Sequence, residues 1–365
     1  MKNKWRILLL IIALAIVILI VSIHIYRNVY RAEPVSMTTF DNSKIEKTLI
    51  TPHMEQKITN KVNVLYCSTF QLCWNELKTF MNGDIEISGN PDIVPFLNKS
   101  LSTKDDLSEE SYVAVAGYIK DNVEDTINKQ LATKFKKVEP VNFDGFVEDD
   151  IIAYSYLYKN LKFDKEFETF KSPIEFSAKG SPAVSVNAFG INDYSTKNEA
   201  IAKQVDIIDY QDNDDFIIRL KTSTSDDELI LAMIQPGSTL LETIEIVEDR
   251  IMNGKQERLS ENDVLKIPKF SFKLTHQYSE LIDKSIMNSA YSDYKIEEAI
   301  QDITFVLDER GAILESKAFI HASKDVSRSK YLEFNRPFLL YMKEKGAKYP
   351  YFALWVENTE LMSIK

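Results

Sequence analysis

Four histidines, His24, His53, His276 and His321, are the chain's whole supply of imidazole. No two of them stand at the spacing that holds a metal or joins a base to a nucleophile. Cys67 and Cys73 are six residues apart, too far to be bridged if both lie on one helix. Two cysteines make no disulfide framework, so stability must come from the core. There is no Gly-x-Ser-x-Gly elbow, no P-loop and no dinucleotide glycine pattern. With 10 glycines in 365 residues, phosphate-cradling loops have little to be built from. The acidic runs Asp212 to Asp215 and Asp226-Asp227-Glu228 could hold a cation, but with their polar neighbours they read as solvated hairpin loops. Enzyme chemistry is not indicated, and no cofactor or metal is implied. What remains is a polar stretch near the C-terminus with Lys324, Asp325, Arg328 and Lys330. Its basic residues suit cleavage by a trypsin-like serine protease; the plainer alternative is a solvated basic loop.

The elements that position such a stretch begin with an apolar run. Ile7 to Ile23 lies between Arg6 and Arg27 and is about the minimum length that spans a hydrocarbon core. Lys2, Lys4 and Arg6 precede it, and the bulky Ser22 to Tyr26 offers no cleavage site, so it reads as an uncleaved signal anchor. Arg27 and Arg31 on the far side leave only a slight charge bias toward an inside N-terminus. The expected division is a cytoplasmic tail 1–6, a transmembrane anchor 7–26, a polar stalk 27–58 and one domain 59–365. That places the protein at the cell membrane, single-pass, with its main domain extracytoplasmic. The net charge is −11 without a basic stripe, which argues against nucleic acid as a partner.

Within the domain, periodicity predicts a short strand at Val62 to Leu65 running into a helix that ends near Phe80. Tyr112 to Ile119 reads as a strand. Asp121 to Lys137 reads as a helix with Val123, Ile127 and Leu131 on one face. Asp150 to Phe163 is a long aromatic strand. Strands follow at Val184 to Ile191, Gln204 to Tyr210, Phe216 to Lys221 and Leu229 to Gln235. Thr239 to Ile251 is an amphipathic helix and Val264 to Leu274 a strand. His276 to Met287 is a predicted helix with His276 at its exposed start. Ile303 to Leu307, Ala312 to Ala322, Phe338 to Met342 and Tyr351 to Val356 are strands. Helices first, then a β-rich body with helices interspersed, is an α+β order.

Several stretches carry a family likeness, in one order along the chain. They are Asn63-Val64-Leu65-Tyr66-Cys67 entering a helix; Leu157-Tyr158-Lys159-Asn160-Leu161-Lys162-Phe163 with Phe167-Glu168; and Leu229 to Pro236 before an amphipathic helix. Val264-Leu265-Lys266-Ile267-Pro268-Lys269-Phe270, Asp308-Glu309-Arg310-Gly311 and Phe334-Asn335-Arg336-Pro337-Phe338-Leu339-Leu340-Tyr341 complete the set. Together, over residues 60 to 360, they resemble the serpins, in a divergent, membrane-anchored form of bacterial type. The resemblance implies three β-sheets with a helical cluster of seven or eight helices, and a bait loop between Gly311 and Phe334. Gly311, Ala312, Ile313 and Leu314 would be the loop's hinge, and Lys324, Asp325 and Arg328 its bait. A serine protease would then be the partner, trapped when the cleaved loop enters the main sheet as a new strand.

The departures are as informative. Between Phe143 and Asp150 the family carries some forty residues, including a helix across the front of the main sheet; here a short connection replaces them. Phe163 stands where the family has tryptophan. The polar cluster beneath the sheet falls on Cys67, Phe70, Ser155 and Gln301, so most of its hydrogen bonding is expected to be lost. Ile313, Leu314, Glu315 and Lys317 are bulky for a hinge that must insert fast. Residues 312–321 also alternate like a strand already in place. Two functions stand: a serine protease inhibitor with a degenerate hinge, or a non-inhibitory serpin-fold ectodomain that binds an unknown protein partner or serves a structural role. The hinge favours the second.

Overall fold

The computed structural model describes residues 45–136, 138–178, 180–192, 199–223, 226–260, 262–310 and 330–364. The expected tail 1–6 and anchor 7–26 lie outside them, as do most of the stalk and the strand expected at Ala312 to Ala322. Among the described residues no helix is long and apolar enough to cross a membrane.

The described chain opens with β1 (Thr48–Thr51) and β2 (Asn63–Cys67), then α1 (Thr69–Met81), α2 (Val94–Asn98), β3 (Tyr112–Tyr118), α3 (Val123–Lys134) and β4 (Ile151–Leu157). β5 (Glu168–Thr169), β6 (Ile174–Phe176), β7 (Val184–Val186) and β8 (Ala188–Ile191) follow, and α4 (Glu199–Ala202) leads to β9 (Val205–Asp212), β10 (Asp215–Leu220) and β11 (Asp227–Met233). After α5 (Leu240–Asn253) come β12 (Glu257–Arg258), β13 (Val264–Pro268), β14 (Phe270–Gln277), β15 (Lys284–Ser285), β16 (Lys295–Ile296) and β17 (Ile300–Leu307). β18 (Tyr331–Glu333), β19 (Phe338–Glu344) and β20 (Phe352–Val356) end it.

Eight strands form the largest sheet, in the order β1-β2-β20-β19-β11-β10-β9-β12. Its central strands alternate apolar residues on both faces. Leu65, Ile218, Leu231, Leu340 and Leu354 face one side. Val64, Ile217, Ile230, Leu339 and Trp355 face the other, where Leu240, Ile244 and Val247 of α5 cover them. A second sheet of four strands runs β18-β13-β8-β5. In place of a single third sheet, four two-stranded ladders occur among the described residues: β3 with β4, β14 with β17, β6 with β7 and β15 with β16. The architecture is mixed α and β with several sheets. Five α-helices lie among the described residues, fewer than the seven or eight expected.

Several expectations fail in detail: the strand expected at Val184 to Ile191 divides into β7 and β8 with different partners, and the one expected at Asp150 to Phe163 ends at Leu157. The helix expected at His276 to Met287 is not formed: β14 continues through Gln277, and its burial alternates with period two at Phe270, Phe272 and Leu274. The eight-residue ladder to β17 supplies the backbone bonds that a helix would otherwise make. The strand expected at Val264 to Leu274 divides into β13 and β14, which belong to different ladders. The body also starts before residue 59. β1 lies inside the expected stalk, pairs in parallel with β2, and buries Ile50 and Thr51. Glu360 fixes its approach by accepting from the Lys47 N–H at 3.0 Å and the Thr48 hydroxyl at 2.6 Å.

His53 follows β1, buried and stacked on Phe96 with ring centroids 4.2 Å apart. Burial lowers its pKa from 6.5 to about 4; Glu55 opposes that shift and Lys99 adds to it. The folded state therefore favours neutral imidazole. That contribution is complete above pH 6.5 and is lost as pH falls toward 4. We expect urea-denaturation midpoints to fall over this window by an amount worth up to about 3 kcal/mol, and His53→Gln to remove that share of the slope.

Candidate functional site

Two of the small ladders approach α1. β3 and β4 pack across it, and the β14–β17 pair reaches it through Tyr278, whose ring lies 4.1 Å from that of Phe70. The Phe167 N–H, ten residues past β4, donates to the Glu309 carbonyl, two residues past β17, at 2.8 Å. Among the described residues, β4 has a ladder only to β3 and β17 only to β14. Among the described residues no ladder joins the two pairs, which leaves a cleft between them bordered by α1 at the Phe70–Tyr278 contact; a strand edge without a partner is a template for another strand.

Gln301 of β17 anchors the floor. Its amide N–H groups donate to the Cys67 carbonyl at 3.0 Å and the Thr69 hydroxyl at 2.7 Å. Its carbonyl oxygen accepts from the Tyr278 hydroxyl at 2.7 Å. The polar cluster expected to be largely lost is thus rebuilt with different partners. Cys67 contributes a backbone oxygen, Phe70 an aromatic face, and Thr69 and Tyr278 the hydroxyls. The Ser155 hydroxyl is buried without a partner among the described residues. Burial raises the pKa of the Cys67 thiol and takes that of Cys73 to about 12, so neither is a thiolate nucleophile.

The front face of β4 carries Ile152, Tyr154, Tyr156 and Tyr158, which pack with α3 and with Val138, Val141 and Phe143. No helix occurs at 138–150. Instead the Asn128 side chain clamps the Val141 backbone, donating to its carbonyl at 2.9 Å and accepting from its N–H at 2.8 Å. A pinned loop therefore covers part of the face that a longer connection would cover.

Residues 311–329 lie outside the described residues, and with them the hinge Gly311, Ala312, Ile313 and Leu314 and the bait Lys324, Asp325 and Arg328. Both ends that lead to this segment are fixed. Beyond β17, Glu309 pairs with Lys269 and Arg310 with Asp308 at 2.9 Å. Burial pushes the Glu309 carboxyl up, but Lys269 outweighs it and holds the group below its usual range. Before β18, the Lys330 N–H donates to Asp263 at 2.7 Å and its ammonium meets Glu257 at 3.1 Å. Phe163, in place of tryptophan, is buried at the exit of β4 and stacks edge-on against Phe167 at 4.8 Å.

The acidic runs are used internally. Asp214 meets Arg336 and Asp215 meets Arg250, each at 2.7 Å, Asp227 meets Lys159 at 3.0 Å, and Glu228 meets Arg219 at 2.8 Å. Among the described residues no three metal-ligating side chains come together. His276 lies on β14, its ring 4.6 Å from that of Tyr278. Sequence reasoning did not single out Tyr278, Lys269 or Glu309 for these roles. The pairings join residues 23 to 40 positions apart, which no local pattern records.

No family model and no curated protein matches the sequence. Among solved structures, thyroxine-binding globulin in complex with thyroxine is similar at 12% identity and a TM-score of 0.46, over 81% of this chain and 92% of that one. Serpin48 of the insect Tenebrio molitor is similar at 14% identity and a TM-score of 0.42, over 82% and 92%. Likenesses at this level leave the fold to be argued from the chain's own strand order.

Replacing Gln301 by Leu strands a buried tyrosine hydroxyl and a buried carbonyl at the floor of the cleft. We expect a loss of about 2 kcal/mol or more in urea unfolding, with Thr69→Val costing less because the other two Gln301 bonds survive.

Proposed function

We propose that the chain is a membrane-tethered, extracytoplasmic serpin-like protein that binds a protein partner and does not trap proteases. The observation that carries this reading is how the described residues that flank 311–329 are tied. Glu309, after β17, pairs with Lys269, and the Lys330 N–H, before β18 in another sheet, donates to Asp263. For the segment between them, tied ends of this kind suit partner binding better than the movement that trapping a protease requires. Its first residues, Ile313, Leu314, Glu315 and Lys317, suit a fixed strand better than one that slides quickly into a sheet. The Phe167–Glu309 backbone bond lies where such an entry would begin. The strand orders of the two larger sheets, a helix beneath a divided third, and the stretches quoted from Asn63 to Tyr341 support the serpin-like fold. The anchor rests on the apolar run Ile7 to Ile23.

A second reading, inhibition of a trypsin-like serine protease, is favoured by the edges of β4 and β17 that lack a partner among the described residues and by Lys324 and Arg328 in the sequence. In that case Gly311 and Ala312 begin the insertion and Lys324 to Arg328 is the bait.

Limited trypsin digestion separates the two. The partner-binding reading expects a nick near Lys324 or Arg328 that leaves the melting temperature unchanged and no denaturant-stable complex with trypsin. A rise of tens of degrees after the nick, as a new strand completes the ladder between β4 and β17, or a covalent complex on a denaturing gel, would overturn it in favour of inhibition.

A further inference from the structure

Two carboxylates stand opposite one another at the end of the large sheet. Asp227 of β11 and Glu344 of β19 are register partners in an antiparallel ladder. Like charges placed in this way weaken a sheet. Both side chains are largely buried, at 8% and 15% exposure, which strengthens their repulsion. The cation that reconciles them comes from a different layer. Lys159, two residues beyond β4 and 11% exposed, sets its ammonium 3.0 Å from Asp227, against Glu344, and 5.2 Å from the centre of the Tyr351 ring. The Tyr351 hydroxyl donates to Asp227 at 3.1 Å, and the Ser108 N–H and hydroxyl both donate to Glu344 at 2.7 Å. The next residues along the strands, Glu228 and Lys343, are paired elsewhere, with Arg219 and Glu248.

The group thus holds one cation for two anions. Burial pushes the Asp227 carboxyl up even with Lys159 beside it. Burial pushes Glu344 up as well, but Lys159 and Ser108 outweigh that and leave it below its usual range. Withdrawing Lys159 would leave two buried carboxylates facing each other, and one of them would then take up a proton at ordinary pH.

We propose that Lys159 is a charge clasp holding the end of β4 on the large sheet, and that a proton on the Asp227–Glu344 pair takes its place when the clasp opens. The opened state binds more protons than the closed one, so acid favours detachment of the β3–β4 pair. This does not depend on whether a strand enters the cleft or on what the protein binds.

Hydrogen exchange of the β3 and β4 amides in the full chain, as protection factors between about pH 7 and pH 5, tests it. The wild type is expected to lose protection as pH falls. Lys159→Met is expected to be less protected at pH 7 by about ten- to a hundredfold, the change that one to two pKa units of coupling produces. Its pH dependence should reverse, because protonation relieves the unpaired carboxylates. Adding Glu344→Gln should restore protection at pH 7 and flatten the profile, and Lys159→Arg should behave as the wild type. If Lys159→Met does not fold at pH 7, recovery of its native near-ultraviolet circular dichroism toward pH 5 supports the clasp just as well. Parallel profiles for the wild type and Lys159→Met overturn the proposal. So does failure of the Lys159→Met, Glu344→Gln double variant to fold or to regain protection, since the lysine would then matter for packing rather than charge.

Discussion

β2, β20, β19 and β11 are buried on both faces in the middle of the largest sheet, so their backbone groups find partners in one another and in the flanking strands β1 and β10. An unpaired amide there has no water to turn to. This makes the ladder order of those strands close to obligatory, and the other layers are arranged around it. α5 covers one face, while the four-stranded sheet and the small ladders share the core on the other. The last two strands of the chain sit at the sheet's centre, between β2 from the first part of the body and β11 from its middle. Closing the fold therefore requires nearly the whole sequence, and the pairings that matter most are long-range ones.

The same constraint explains why the cleft is the adaptable region. Among the described residues β4 and β17 each have one ladder, and the segments that follow them meet through the Phe167–Glu309 backbone bond. Gln301 ties β17 to the start of α1, and Lys159 ties the residues after β4 to the large sheet. Polar and ionic contacts of this kind are directional and can be exchanged one at a time. A dry apolar seam between the two strands would not offer that freedom.

Much of the body was legible in the sequence. Strands β3, β10, β11, β19 and β20 and helices α3 and α5 fall within a few residues of where periodicity puts them, because each carries its burial pattern in its own residues. The helix expected after His276 was not legible. Its apolar spacing suits either a helix or a strand followed by turns, and the β14–β17 ladder decided for the strand. β1 was hidden for a related reason. Four residues of ordinary polarity become a strand only because β2 and Glu360 supply partners.

The sequence by itself determined a β-rich body with a few amphipathic helices, the absence of a nucleophile or metal motif, and the ordered stretches that resemble serpins. Those properties are written in local residue type and spacing. Only the tertiary structure decided that, among the described residues, β4 pairs with β3 alone and β17 with β14 alone. It also decided that Gln301, with Tyr278 and Thr69, rebuilds a polar floor where loss was expected, and that Lys159 serves two carboxylates 68 and 185 residues away. The reason is physical. A buried hydrogen bond or ion pair is fixed by where layers meet, and that geometry exists only once distant strands have packed.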